Sequence, residues 1–192
     1  MRSFPQQGAD LGARLLYVFK WTHERQFERT IVTSSDSPQI STKEILPQEM
    51  LQLAAERSAG AHTYKVTAQH TADARQLLGP EALLAVEHAV VLETDPQKAR
   101  RIARVHLETY LRLPAHLAKF RRLGFTDDDF AAGGSNRLVD ALVAWGHMDD
   151  VLAKLHAHFE AGADHVCIQV LGSEPGASPI QAWRIIAKAM LH

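Results

Sequence analysis

The sequence predicts an α/β protein with a partly parallel sheet, and three observations predict it. The first is the run AGADHVCIQVLGSE at residues 161–174. Gly162 stops a helix there, because glycine accepts the left-handed conformation without a Cβ clash. Val166, Cys167, Ile168, Val170 and Leu171 then form a nearly unbroken apolar strand. Strands covered on both faces read this way, whereas strands with one wet face alternate. The second observation is SPIQAWRI, which opens a helix over residues 179–190 and completes a helix–strand–helix unit. The third is LLAVEHAVVLET at residues 83–94, which holds another apolar strand followed by a helix. Parallel sheets of this kind place chemistry at the carboxyl ends of their strands.

In chain order, residues 1–43 carry no readable period, and SSDSPQIST at 34–42 reads as a loop. A short strand is predicted at 29–34. Residues 47–57 read as a helix with Met50, Leu51, Leu53 and Ala54 on one side, ended by Gly60. The β-branched and aromatic run at 61–67 reads as a strand. A short helix at 71–79 stops at Gly79-Pro80. The next strand is placed at 86–93. Thr94 or Asp95 caps a helix with Pro96 in its first turn, where a missing N–H costs little. Its apolar positions Ala99, Ile102, Ala103, Leu107 and Tyr110 follow a helical period as far as Leu113. Pro114 breaks it, and a short helix runs on to Gly124. TDDDFAAGGS reads as a loop, and Ser135 or Asn136 caps NRLVDALVAWG, read as helix. Met148 to Phe159 is an amphipathic helix. Three strands and a fourth near Ile31 are thus expected, with an all-helical excursion over 95–159 between the second and third of the three.

The 192 residues suffice for one well-buried domain. A net charge of −1 gives no footprint for nucleic acid or an anionic membrane. No apolar run approaches the roughly 18–20 residues of a membrane helix. LGARLLYVFKW at 11–21 is short, interrupted by Arg14, and lacks a cleavage site, so it does not read as a signal peptide. The single cysteine, Cys167, excludes a disulfide framework and points to a reducing cytoplasm.

Eleven histidines invite a metal reading. His156 and His158 are two apart on a helix and point to different faces. His62 and His70 have no nearby carboxylate or thiolate to complete a zinc set. His62 stands out because it opens a strand beside Tyr64. Gly133-Gly134-Ser135 has the look of a phosphate cradle, but is more simply an N-cap after a loop. Gly172-Ser173 follows the last strand and fits a ligand loop or an ordinary turn equally well. Asp127, Asp128 and Asp129 are helix-start charge. No Ser–His–Asp order or nucleophile elbow occurs, and Cys167 in its apolar run reads as core.

The segments from LQLAAERSAGAHTYKVTAQHTADARQLLGPEALLAVEHAVVLETDP through FTDDDFAAGGSNRLVDALVAWG, with AGADHVCIQVL, resemble the carboxyl-terminal portion of the luciferase-like monooxygenase superfamily. The nearest branch is that of oxidoreductases using the deazaflavin coenzyme F-420. The resemblance runs from about residue 46 to the end. It implies an incomplete (β/α)8 TIM barrel, contributing last strands and helices with a helical insertion. It divides the chain into an unmatched segment, 1–43, and a barrel portion, 44–192. It implies hydride transfer between a small-molecule substrate and the deazaflavin, with FMN as the alternative cofactor. His62, Thr63 and Tyr64 fall in a family strand and are implied as cofactor wall; no catalytic acid or base and no metal site is implied. The strands of the family's first half have no counterpart, so the chain reads as a truncated form. The alternative is a non-catalytic fragment or interaction module. Unpaired sheet edges then imply self-association into a homo-oligomer.

Overall fold

Strand β3 (Leu83–Val91) is the axis of the sheet, and every sheet contact of the carboxyl-terminal strands is made to it. The computed structural model describes residues 31–33, 47–172 and 179–190. Along these, β1 (Ile31–Thr33) precedes α1 (Pro47–Arg57), β2 (Gly60–Tyr64), α2 (Ala68–Leu78) and β3. Helices α3 (Pro96–Leu111), α4 (Pro114–Arg122), the single turn α5 (Asp127–Phe130) and α6 (Asn136–Leu142) follow. The chain closes with β4 (Val143–Trp145), α7 (Met148–Glu160), β5 (His165–Val170) and α8 (Ile180–Met190).

All the strand pairings are parallel. β2 pairs with Leu83–Glu87 of β3, β4 with Ala89–Val91, and β5 with Ala85–Val90. A strand has two edges, so β5 takes one while β2 and β4 share the other in succession. Among the described residues the sheet is open: β1 pairs β2 alone and β5 pairs β3 alone. The expectation of a parallel α/β sheet therefore holds, while closure into a barrel is not a feature of these residues.

Successive side chains on a strand point to opposite faces. One face, carrying Ala61, Leu84, Val86, Val90, Ala144 and Val166, is buried against α1, α2, α7 and α8 in one apolar core. A second core joins Ala89, Val91 and Val143 to Ala99, Ala103, Leu107, Phe120 and Leu138 of the helical excursion. Beyond that core the second face carries polar groups, His62, Glu87 and Gln169 among them. Register places His62 beside Ala85, Tyr64 beside Glu87, and Glu87 beside Cys167.

The structure corrects several expected boundaries. Gly60 does not end α1 but begins β2, and it must be glycine there. Its φ is +156°, and a Cβ would fall 1.9 Å from the Leu83 carbonyl oxygen. Helix α2 starts earlier than expected, capped by Thr67, whose hydroxyl accepts from the His70 amide at 3.3 Å. Residues 143–145, expected as helix, form β4. The TDDDF loop contains a helical turn, held because Asp129 accepts from the Thr126 amide at 2.9 Å and from Ser135 Oγ at 2.6 Å. Strand β5 was expected to be covered on both faces, but His165 and Gln169 are exposed and Cys167 is half-buried. Among the described residues it is an edge strand, and its apolar residues are spaced between polar ones. Asp95, Ser135 and Gly162 act as expected, capping α3, capping α6 and ending α7. The expected loop at 34–42, the segment 11–21 and most of the segment 1–43 lie outside the described residues.

The amino ends of the strands are tied together by one arginine. Arg75 donates to the carbonyls of Gly162 (2.8 Å), Gly79 (2.7 Å) and Ala82 (2.7 Å). It also reaches Asp164 at 2.5 Å, and Asp164 in turn accepts from the Leu84 amide at 2.7 Å. This knot fixes α2, β3 and β5 at one end.

Candidate functional site

At the carboxyl end of β2 the chain turns through Lys65, which has φ +51° without being glycine. Such a conformation costs energy and persists where the surroundings enforce it. The surroundings here are aromatic. Lys65 Nζ lies 4.0 Å from the centre of the Tyr110 ring and 4.8 Å from that of Tyr64. The residue is only 4% exposed. Its ammonium faces Glu87 of β3, with Nζ 3.7 Å from Oε2, an ion pair too long for a hydrogen bond. Both Glu87 carboxylate oxygens are buried and accept no hydrogen bond, and His62 Nε2 on the same face is also without one.

An aromatic wall backs this group. Tyr64 and Tyr110 meet edge to face at 6.4 Å, and His116 packs edge-on to both, at 5.8 Å from Tyr64 and 5.0 Å from Tyr110. Tyr64 Oη lies 3.4 Å from His116 Nε2, and Lys119 Nζ donates to the Tyr64 carbonyl at 3.0 Å. Helices α3 and α4 thus supply the wall, which is what the long helical excursion contributes. At the end of β4, Trp145 Nε1 donates to Asp140 at 2.8 Å. Arg100 holds that carboxylate through two bonds, at 2.9 and 2.7 Å.

Burial, more than charge, sets the local electrostatics. It lowers the affinity of His62 for a proton, opposed by Glu87 and aided by His165. His106 is pushed down to about 4 by burial and then by the Lys65 ammonium. Burial raises the Cys167 thiol, and the nearby Glu87 carboxylate adds to it.

The three residues implied as cofactor wall part company. His62 and Tyr64 stand on the polar face, while Thr63 pairs in register with Val86 and points to the helix-packed face, 9% exposed. Sequence reasoning missed Lys65 and Glu87. The signal was present: a glutamate inside an apolar strand and a lysine just past a strand end are both out of pattern. Of the other candidates, Ser135 is an N-cap, accepting from the Leu138 amide at 3.1 Å. Beside its loop lies a cleft of about 370 Å³ lined by Arg101, Arg104, Val105, Glu108, Ala132 and Gly133, none of them from the sheet. Of Gly172-Ser173, Ser173 lies outside the described residues. His156 and His158 do diverge, one exposed and one buried. Among the described residues no three His, Cys, Asp or Glu side chains converge as metal ligands, and no helix is long and apolar enough to cross a membrane.

A family model described as an uncharacterized protein conserved in bacteria (DUF2064) matches residues 1–60. No curated protein matches the chain. Among solved structures, the coenzyme F420-dependent tetrahydromethanopterin reductase from Methanopyrus kandleri is 16% identical, with a TM-score of 0.48 over 83% of this chain and 49% of that one. An F420-dependent secondary alcohol dehydrogenase, in complex with an F420-acetone adduct, is 10% identical, with a TM-score of 0.51 over 88% of this chain and 58% of that one. The chain thus spans about half the length of these structures, and its likeness to the alcohol dehydrogenase is one of fold.

Proposed function

We propose that this chain is the carboxyl-terminal portion of a luciferase-like (β/α)8 barrel that serves hydride transfer on a small-molecule substrate. The favoured cofactor is deazaflavin coenzyme F-420, ahead of FMN. The observation that carries the reading is the polar sheet face. In a sheet whose other face packs against helices, His62, Tyr64, Glu87 and Cys167 line one side and end in a buried lysine at the carboxyl ends of the strands. That is where such folds bind ligand. The fold shared with an F420-dependent alcohol dehydrogenase supports the same class.

The residues present fit such a cofactor. Glu87 has buried oxygens in need of donors, and Tyr64 and Tyr110 offer ring surface. A bound deazaflavin would supply the hydride-accepting ring. The chain's own part would be to orient that ring with His62 and Tyr64, while Thr63 keeps the strand against the helices. The chain spans about half of the structures it resembles, so part of a full pocket would come from elsewhere. A second reading, a non-catalytic module, draws on the match of residues 1–60 to a family described only as uncharacterized and conserved in bacteria.

Fluorescence titration with deazaflavin and with FMN tests the proposal. Weak but saturable binding is expected, deazaflavin ahead of FMN and both weaker than about 10 μM, near −7 kcal/mol. Failure of both to bind the folded chain would favour the non-catalytic module.

A further inference from the structure

We infer that Glu87, Lys65 and His62 form a binding site for the edge of a flat, neutral heterocycle carrying an imide or lactam, an N–H donor beside a carbonyl acceptor. Glu87 is an acceptor only, and both of its oxygens are buried without a donor. A carboxylate so placed leaves its hydrogen-bonding capacity unspent, which is rare for buried groups and calls for a partner. Lys65 offers donors only. It stands 3.7 Å from Glu87 and is held by that ion pair and two ring faces rather than by hydrogen bonds. The two groups present an acceptor and a donor side by side, which is the complement of an imide edge. His62 Nε2, orphaned on the same face, extends the row by one group.

Charge narrows the ligand further. A phosphate or carboxylate meets repulsion from Glu87, and an amine meets it from Lys65. The pair is neutral overall and selects a neutral ligand. Tyr64 and Tyr110 flank the lysine, which favours a flat ring over a flexible chain. The left-handed backbone at Lys65 is the independent sign: strain of this sort collects at ligand sites. The inference deepens the function proposed above, since the pyrimidinedione of a deazaflavin carries such an edge, and in that respect rests on it.

The test uses the full chain, with lumazine and lumazine methylated at its imide nitrogen as probes, followed by NMR at neutral pH. Lumazine should saturate with shifts at residues 62–65 and 87. The methylated probe should bind at least about tenfold more weakly, having lost one charge-assisted hydrogen bond. Glu87→Gln and Lys65→Met should weaken lumazine by a similar factor, with circular dichroism and melting confirming the fold. Equal affinity for the two probes would overturn the inference, and so would no saturable binding or ribitol shifting these residues while lumazine does not. Deazaflavin titrated in parallel separates the two proposals. Lumazine binding without deazaflavin binding leaves this site standing and removes the cofactor reading. Deazaflavin binding that ignores Glu87→Gln does the reverse.

Discussion

His158 Nε2 lies 3.0 Å from His88 Nδ1, which joins helix α7 to the central strand through the core. The chain of bonds continues, with Thr71 Oγ1 of α2 2.8 Å from His158 Nδ1. Thr71, His88 and His158 are all at most 2% exposed. Burial pushes His88 down to about 3 and His158 to about 4, each aided by a neighbouring histidine and then by Lys154. His70, beside them, is held at about 4 by burial and Lys119, against Asp73.

These histidines make the fold acid-sensitive. In the unfolded chain a histidine takes up its proton near pH 6.5. In the folded chain it stays neutral to about pH 4. Between those values the unfolded state binds more protons, so stability falls as pH falls, by roughly 1.4 kcal/mol per pH unit for each such group. Denaturant melts at several pH values should show full stability above about pH 7 and a steep loss towards pH 5. Replacing His158 with Gln should flatten that loss. A slope unchanged by the substitution would assign the effect elsewhere.

Much of this fold is legible in the sequence, for physical reasons. Caps and breakers act locally, so Asp95-Pro96, Ser135 and Gly162 appear where their chemistry requires. Strand β4 was not legible because VAW continues the apolar period of α6, and only pairing with Ala89–Val91 makes it extended. The polar face of the sheet was hidden for the same reason. Glu87 and Lys65 sit 22 positions apart, and parallel register brings them together, not any local pattern. His62 and Tyr64 could be picked out as strand residues, but period two alone assigns Thr63 to the opposite face.

Gly60 is expected to be intolerant of any side chain. A Cβ would lie 1.9 Å from Leu83 O, 2.6 Å from its carbonyl carbon and 2.7 Å from its nitrogen. All three are backbone atoms of the paired strand, so β2 and β3 would have to separate. Gly60→Ala should cost about 2–3 kcal/mol, read as a lowered denaturation midpoint. Gly79→Ala serves as a comparison, because nothing lies within 4 Å of its Cβ and only the backbone conformation is penalised. Equal losses for the two would refute the steric account.

Cys167 should react slowly, although it is not fully buried. The thiolate is the nucleophile, and here burial and the Glu87 carboxylate both disfavour it. Labelling by a disulfide reagent should therefore speed up with pH beyond the range of an ordinary thiol. Glu87→Gln should accelerate it at neutral pH while leaving the protein folded. Rapid labelling of the native protein at pH 7, unaffected by that change, would show that the carboxylate has no hold on the thiol.

The sheet is also expected to drive association. Strand β5 lies at an edge among the described residues, with Val166 buried and His165 and Gln169 exposed beside unpaired ladder positions. Buried backbone groups left without partners cost roughly 1–3 kcal/mol each, and pairing with another copy removes that cost. Helix α8 adds apolar surface, since Ile180, Trp183 and Ile185 are 47%, 48% and 54% exposed while Ile186 faces the core. Edge and helix together offer backbone pairing and apolar burial, which is the combination that sustains an interface. We therefore expect the purified chain to form dimers or larger species, with a mass that rises with concentration in light scattering. Trp183→Ser with Ile185→Ser should reduce association if α8 contributes. A charged residue at an outward β5 position, Gln169→Lys, should reduce it if the strand edge contributes. A monodisperse monomer across the micromolar range would show that neither surface is adhesive.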